Sequence, residues 1–314
     1  MNATLSLDLD NQWSYMKTHG DAGWETFPSY LDLVVPRVLR FLKEADLRIT
    51  VLIVGQDAAL PKNREALQSI AQAGHEIGNH SFHHEPWLHT RTATQIEDEI
   101  ARAEEAIVKA TGQRPVGFRG PGFTKSPSIL RALARRGYAY DASTFPTFIG
   151  PLARAYYFRT AKLDPAAARE RAGLFGRFED GFERNRYHVI ETAYGPIAEI
   201  PVTTMPGLRV PIHVSYLLYL HAVSPALAKA YFAFALQLCR LTRTEPSILL
   251  HPLDFLGAQD CPALRFFPAM NLPTETKVQV VRDSCAQLAS AFTVGPLIEY
   301  VQNRSPISQV SLAS

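Results

Sequence analysis

Cysteine is scarce in this chain of 314 residues, which contains only Cys239, Cys261 and Cys285. None of them forms a C-x-x-C pair, and the odd count argues against a disulfide framework. A reducing compartment fits this usage best, and we expect the protein to be cytoplasmic. The N-terminal residues MNATLSLDLD lack a basic segment followed by a long apolar run, so they do not predict a signal peptide.

Long apolar runs and clusters of one charge are missing as well. No stretch reaches the roughly 18 uninterrupted apolar residues that a membrane-spanning helix needs. Basic and acidic residues nearly balance, at 32 and 30, and no basic tract stands out, which argues against nucleic acid as a partner. The sequence has no internal repeat and no low-complexity segment. Its 46% hydrophobic residues are enough for one large domain over 1–314.

Strand and helix signals alternate through residue 145. The segments ATLSLDL, RITVLIV, HEIGNH, PVGFRGP and YAYDAS favour strands, and helical segments lie between them. This alternation predicts an α/β fold with a parallel sheet or barrel of β/α units. The active site of such a fold lies at the carboxyl ends of the strands. Between 146 and 245 the alternation stops, which we interpret as a large insertion that forms a substrate-facing or membrane-facing lid.

The stretch HEIGNHSFHH holds four of the ten histidines of the chain. His80 and His84 lie four residues apart, and on a helical turn such rings share one face and can bind one metal ion. The alternative is a polar loop whose histidines are hydrogen-bonded. His75 precedes the strand and His83 points elsewhere on the turn, so we interpret both as ordinary polar residues.

Two carboxylates and two basic side chains stand at other strand ends. Asp8 and Asp10 share one face of a strand, which is costly unless a metal ion or an arginine neutralises them. Arg119, in the rigid turn FRGPGF, is the candidate cation. A turn that favours Asp would explain Asp10 but not Asp8, which lies inside an apolar strand. In PSILLHPLDF, His251 follows a buried apolar strand and is a candidate proton donor, with a satisfied core or strand-end histidine as the alternative.

These motifs, in this order, resemble those of the polysaccharide deacetylases, which form carbohydrate esterase family 4 or the NodB-homology family. SLDLD takes the place of the first motif in an Asp-x-Asp form, HSFHH matches the second, and FRGPGF matches the Arg-x-Pro motif. YDASTFP falls where the fourth motif is expected but lacks its usual Trp, and LLHP matches the last. The resemblance implies a distorted (β/α) barrel, with the insertion at 146–245 before the last strands.

The resemblance also implies a role for each site residue. The metal ligands would be Asp10, His80 and His84, with Zn²⁺ as the expected ion and Mn²⁺, Co²⁺ or Ni²⁺ as alternatives. The catalytic residues would be Asp8 as general base, Arg119 as its partner, His251 as general acid and Asp141 as the residue that tunes His251. The substrate would lie against Pro121, Gly122 and Phe123, where a backbone N–H near Gly122 helps to stabilise the oxyanion.

The function that follows is hydrolysis of a C–N bond other than a peptide bond. Such a reaction needs an activated water, a polarised carbonyl and a protonated leaving amine, which this set of residues supplies. We therefore predict a hydrolase that removes an N-acetyl or N-formyl group from an amino sugar. Two alternatives stay open: a hydrolase of a small cyclic amide or ureide, as in the allantoinase-like branch, and a catalytically inactive relative that only binds sugar.

A lipid-linked substrate is a further expectation. The Asp-x-Asp motif resembles that of the lipid-linked aminoarabinose deformylases, and the region 208–238 is unusually apolar. With Arg154, Arg159 and Lys162 upstream, this region predicts peripheral contact with the inner membrane leaflet and a polyprenyl-phosphate-linked sugar. Buried core or a homodimer interface are the alternative interpretations of the same apolar residues.

Overall fold

The computed structural model describes residues 1–174 and 176–304. The strands are β1 (Asn2–Leu9), β2 (Thr50–Ile53), β3 (Glu76–Asn79), β4 (Gly117–Phe118), β5 (Tyr140–Asp141), β6 (His188–Thr192), β7 (Gly195–Glu199), β8 (Ser247–Leu250) and β9 (Thr293–Gly295). The α-helices are α1 (Gln12–His19), α2 (Leu31–Glu44), α3 (Gly55–Ala59), α4 (Arg64–Gln72), α5 (Ala93–Thr111), α6 (Pro127–Arg135), α7 (Gly150–Thr160), α8 (Pro165–Glu170), α9 (Val214–Val223), α10 (Pro225–Leu241), α11 (Thr274–Ala291) and α12 (Leu297–Gln302).

The strands form one sheet in the order β6-β7-β5-β4-β3-β2-β1-β8, and β9 also pairs with β1. Every pair is parallel apart from β6 with β7. One or two helices follow each of β1 to β5 before the next strand begins, so the predicted alternation of strand and helix is confirmed. Because the strands are parallel, the carboxyl ends of β1, β3, β4, β5 and β8 lie at the same edge of the sheet.

The alternating sequence of strand β1 places polar side chains in a buried position. Leu5, Leu7 and Leu9 belong to the main hydrophobic core, together with Val34 and Phe41 of α2. Successive side chains of a strand alternate between its two faces, so Ser6 and Asp8 lie on the opposite face from these leucines. Both polar residues are buried. The apolar face therefore holds the strand in the core while the other face carries the carboxylate.

The region 146–245 is only in part an addition to the barrel. Strand β7 extends the parallel sheet next to β5, and β6 pairs with β7 at the outer edge. Leu217 and Leu218 of α9 and Phe232 of α10 are buried in the main core. The interpretation of the region as a lid stays a prediction for α7 and α8. No helix in the parts of the chain described above is both long and apolar enough to cross a membrane.

The contact between α3 and α5 depends on a glycine. A Cβ added to Gly55 would lie 2.6 Å from the Cα and 2.8 Å from the Cβ of Ala103, so the two helices approach each other at backbone distance. The backbone N–H of Gly55 also donates to the carbonyl of Ser81, at 2.8 Å. Residue 55 thereby fixes α3 against both α5 and the loop that follows β3.

We expect Gly55→Ala to lower the free energy of unfolding by about 1–3 kcal/mol, because an extra methyl forces packed backbones apart. Urea denaturation followed by circular dichroism measures this. Gly173→Ala is the matched control, since the nearest atom to its added Cβ is 3.6 Å away. Equal denaturation midpoints for the two variants would contradict the close approach.

Candidate active site

Three potential metal ligands meet beyond the carboxyl ends of β1 and β3. Asp10, His80 and His84 are buried, and one ligand atom from each lies within 4.8 Å of the other two. The Oδ1 atom of Asp10 is 2.8 Å from Nε2 of His84 and 3.3 Å from Nε2 of His80. One carboxylate with two imidazoles is a donor set that suits Zn²⁺ and related divalent ions. The residues that the sequence predicts as ligands thus fit a divalent metal.

The acidic and basic side chains of this cluster shift each other's pKa values. Burial raises the pKa of Asp10, but the neighbouring rings of His84 and His80 outweigh burial and hold it well below its usual value. Burial lowers the pKa of His80, but the carboxylates of Asp8 and Asp10 outweigh burial and raise it. The carboxylates therefore favour a positive charge at this position, which a bound cation would also supply.

The two histidines stand on a loop rather than on the predicted helical turn. Ser81 and His84 have positive φ angles of 60° and 50°, which no helix contains. The loop is tied to α5, because Oε1 of Glu99 accepts the backbone N–H groups of Phe82 and His83. Oε2 of Glu99 contacts the ring of His83 at 2.7 Å. The prediction of a helical turn was wrong: Glu99 holds the loop and brings the two rings together.

Hydrogen bonds fix the orientation of His80. Its Nδ1 donates to the carbonyl oxygen of Arg119 at 2.6 Å, since a carbonyl only accepts. Nε2 is therefore the ring atom that faces Asp10. A backbone carbonyl in this position is the usual means by which proteins fix a metal-binding histidine. His75 and His83 lie outside the cluster: the ring of His75 is next to the backbone of residue 49, and that of His83 pairs with Glu99.

Asp8 and Arg119 form a buried ion pair. Nη1 of Arg119 is 2.5 Å from Oδ1 of Asp8 and 3.0 Å from Oγ of Ser6, and Nε donates to the carbonyl of Ala142 at 2.8 Å. The guanidinium is fully buried. A charged guanidinium at this distance holds the Asp8 side chain in one orientation.

The turn after Arg119 exposes a single backbone amide. Gly122 and Phe123 have positive φ angles of 56° and 64°. The N–H groups of Gly120, Phe123 and Thr124 are used within the protein. Pro121 has no N–H, so that of Gly122 is the amide of this turn without a partner among the described residues. The predicted contact of this turn with the substrate stays a prediction.

His251 has contacts that the sequence did not reveal. Its Nδ1 is 3.0 Å from Oγ of Ser215, at the start of α9, and this hydroxyl donates to Oδ1 of Asp254 at 2.8 Å. Oδ2 of Asp254 accepts the backbone N–H of His251 at 2.8 Å. Asp254 comes three residues after His251, a spacing at which a carboxylate often caps a turn. Ser215 has no such local signal, because it is 36 positions away along the chain.

Asp141 lies beside Ser143 and Glu199 at the end of β5. Its Oδ1 accepts from Ser143 at 2.5 Å, and its carboxyl group interacts with that of Glu199 on β7. Burial and the Asp141 carboxylate raise the pKa of Glu199 well above its usual value, so the pair shares a proton. The ring of His251 contacts Ser215, and the tuning of His251 by Asp141 stays a prediction.

All three tryptophans of the chain surround Lys17 on α1. Its Nζ lies 6.0, 5.3 and 5.7 Å from the ring centroids of Trp13, Trp24 and Trp87. Nζ also donates to the carbonyl of residue 83, at 2.9 Å. The Trp13 ring is 6.5 Å from that of His84, in an edge-to-face arrangement. This cluster therefore contacts the histidine loop at the carbonyl of residue 83 and at the ring of His84.

Comparison with known proteins finds a family model that matches part of this chain. Residues 18–140 match the family model described as polysaccharide deacetylase. The chain is 36% identical over 104 residues to the peptidoglycan-N-acetylmuramic acid deacetylase PdaA of Bacillus subtilis, which covers 33% of this chain and 38% of that protein. The chain thus spans less than half the length of this relative.

Solved structures confirm the predicted fold. A proposed polysaccharide deacetylase from Mycobacterium smegmatis superposes with a TM-score of 0.61 at 18% identity, covering 96% of this chain and 91% of that one. The Puue allantoinase superposes with a TM-score of 0.57 at 15% identity, covering 96% and 89%. Such identities show the shared fold alone. The chain therefore has the predicted distorted (β/α) barrel of the NodB-homology type.

We expect the protein, once stripped with EDTA, to rebind about one Zn²⁺ per chain. His80→Ala should weaken this binding by more than about 100-fold, because loss of a residue that merely supports a ligand already costs 10- to 100-fold. Isothermal titration with Zn²⁺ measures the affinity, and circular dichroism checks the fold. His83→Ala is the matched control, since its ring pairs with Glu99 outside the cluster. Undiminished affinity in His80→Ala would refute the ligand assignment.

Proposed function

We propose that this chain is a metal-dependent hydrolase that removes an N-acyl group from an amino sugar, because residues 18–140 match the polysaccharide deacetylase family model. The observation that carries the proposal is the adjacency of two arrangements at the end of β1. Asp10 joins His80 and His84 in a potential metal site, and Asp8 is held in an ion pair with Arg119. A hydrolase of this kind needs both a metal site and a separate base.

The metal would be held by Asp10, His80 and His84. A divalent ion there would lower the pKa of water towards roughly 7 and act as a Lewis acid towards the acyl carbonyl. Asp8 accepts the proton of the attacking water. Its pairing with Arg119 keeps one carboxylate oxygen occupied, so the other is left to act as the base.

Two further groups, from the turn after β4 and the end of β8, complete the proposed reaction. The N–H of Gly122 donates to the developing oxyanion, because a free amide held by a rigid turn needs no reorganisation. His251 protonates the departing amine through Nε2, since its Nδ1 is engaged with Ser215. Without this proton the amine would have to leave as an anion, which is a far poorer leaving group.

The acyl group that we propose is N-acetyl or N-formyl, and the molecule that carries it is an amino sugar. The name of the Bacillus subtilis relative, an N-acetylmuramic acid deacetylase, supports the acetyl group. A lipid-linked form of the sugar is supported by exposed apolar residues at the turn between α9 and α10. There Val223 is 82% exposed and Leu227 49% exposed. The inward face of the same two helices is core, so only this outward tip is assigned to a membrane.

We expect Asp8→Asn to lower kcat by roughly 10²- to 10⁴-fold, because the amide cannot accept the proton of water. The affinity of this variant for Zn²⁺ should stay near that of the wild type, since Asp8 is not one of the proposed metal ligands. Release of primary amine from N-acetylated glucosamine oligomers measures the rate, and titration measures the metal. Asp98→Asn, at an exposed position of α5, is the control. A rate within about threefold of wild type would remove Asp8 from the role of base.

The same assay separates the alternative functions. Turnover of a cyclic ureide such as allantoin, with none of the sugars, would favour the allantoinase-like alternative. Sugar binding without turnover of either class, in protein that retains Zn²⁺, would favour the inactive sugar-binding relative. The allantoinase structure shares the fold nearly as well as the deacetylase structure, so the fold alone does not distinguish them.

For the lipid-linked substrate, we expect the protein to sediment with anionic phospholipid vesicles. The double variant Val223→Asp/Leu227→Asp should weaken this binding at least roughly tenfold, because each buried aliphatic side chain contributes about 1.5–3 kcal/mol. Leu33→Asp is the control: Leu33 is 40% exposed and lies on α2, outside the region 208–238. Unchanged sedimentation of the double variant would leave these residues as ordinary surface and remove the support for a lipid-linked sugar.

A further inference from the structure

The ring of His251 is connected to a buried carboxylate through a serine. Ser215 Oγ lies between Nδ1 of His251, at 3.0 Å, and Oδ1 of Asp254, at 2.8 Å. Ser215 and Asp254 are both buried, so water does not replace either contact. The carboxylate also receives the backbone N–H of His251 on its second oxygen. Both oxygens of Asp254 therefore accept hydrogen bonds, as an ionised carboxylate does.

The direction of these bonds fixes the proton on the imidazole. A hydroxyl has one hydrogen, and that of Ser215 is donated to Asp254. Its oxygen must then accept from His251, so Nδ1 carries a hydrogen in both the neutral and the charged ring. Nε2 is left as the atom that gains and loses a proton. The opposite tautomer would place two acceptors, Oγ and Nδ1, against each other.

Burial raises the pKa of Asp254, whereas the nearby His251, the hydrogen bonds that the carboxylate accepts and the charge of Lys277 act to lower it. Lys277, on α11, lies near this carboxylate, with its Nζ donating to the carbonyls of Leu253 and Leu256 at 2.9 and 2.8 Å. On the side of α9, the ring of His213 lies 6.0 Å from that of His251. Burial, together with the nearby His251, holds the pKa of His213 well below its usual value, so His213 is neutral and does not compete for the carboxylate.

We propose that Ser215 is a positioning residue, which relays the carboxylate of Asp254 to Nδ1 of His251 and thereby presents Nε2 to the leaving amine. The tautomer follows from the contacts alone, and only its use in proton donation rests on the proposed function. Ser215 lies in the first turn of α9, inside the region 146–245. This region therefore contributes a side chain to the active site, beyond its part in the sheet and the core.

A purely structural role for Asp254 is the competing explanation. A carboxylate that caps the turn after β8 through the backbone N–H of His251 would stabilise the chain without affecting the ring. Removing the hydroxyl of Ser215 leaves that cap in place. The substitution Ser215→Ala therefore separates the two roles, and Ser215→Thr restores a hydroxyl. Ser290→Ala is the matched control, because Ser290 is exposed on α11 and bonds only to its own helix.

The first measurement is the nitrogen NMR spectrum of His251 in ¹⁵N-histidine-labelled protein at about pH 9, where imidazoles are neutral. Wild type and Ser215→Thr should show the hydrogen on Nδ1, and Ser215→Ala should show a mixture of tautomers. The second is kcat, which should fall roughly 10- to 100-fold in Ser215→Ala with KM nearly unchanged, and recover in Ser215→Thr.

Each outcome decides a different point. A wild-type ring with its hydrogen on Nε2, or a tautomer that Ser215→Ala leaves unchanged, overturns the relay whatever the activity. A shifted tautomer with normal kcat overturns its use in proton donation. Wild-type protein that turns over no amide, but shows the expected tautomer and its loss in Ser215→Ala, supports the relay and overturns the proposed function alone.

Discussion

The buried guanidinium of Arg119 holds the site together. The guanidinium donates to Asp8 and Ser6 on β1 and to the backbone carbonyl of the residue just after β5. The backbone carbonyl of Arg119 accepts the Nδ1 hydrogen of His80. One residue thus orients both the proposed base and a proposed metal ligand. Removing one partner of a buried ion pair costs about 3–5 kcal/mol, because the other charge is left unpaired. The stability of the fold and the orientation of the proposed catalytic groups depend on the same few hydrogen bonds. A substitution of Arg119 would therefore affect both.

The proposed site residues at β1 and β3 and those at β8 are held in place by different parts of the chain. On the side of β1 and β3, the ligands come from strand ends and from one loop anchored by Glu99. On the side of β8, the ring of His251 depends on α9, which enters from the region after residue 146. Glu199, also from that region, lies beside Asp141 at the end of β5. A segment that breaks the regular alternation of the fold therefore supplies much of what surrounds the proposed acid.

Residues at strand ends could be predicted because their geometry is local. The two-residue period of a strand places Asp8 away from the core leucines, and parallel strands bring Asp10, His80, Arg119 and His251 to one edge. The predicted helical turn at His80 and His84 was wrong because contacts from other elements, among them Glu99, Lys17 and Gly55, set the path of that loop. Ser215 could not be found for the same reason. The contact between Ser215 and His251 depends on how α9 packs, and no short sequence pattern predicts that packing.

The tryptophans beside the histidine loop have an optical consequence. Because all three indoles surround Lys17, and one of them touches the neighbourhood of His84, the ultraviolet emission of the folded protein originates almost entirely beside the proposed metal site. Indole emission responds to nearby charge and to the polarity around the ring. The molecule thus contains its own fluorophores next to the loop that carries the proposed metal ligands.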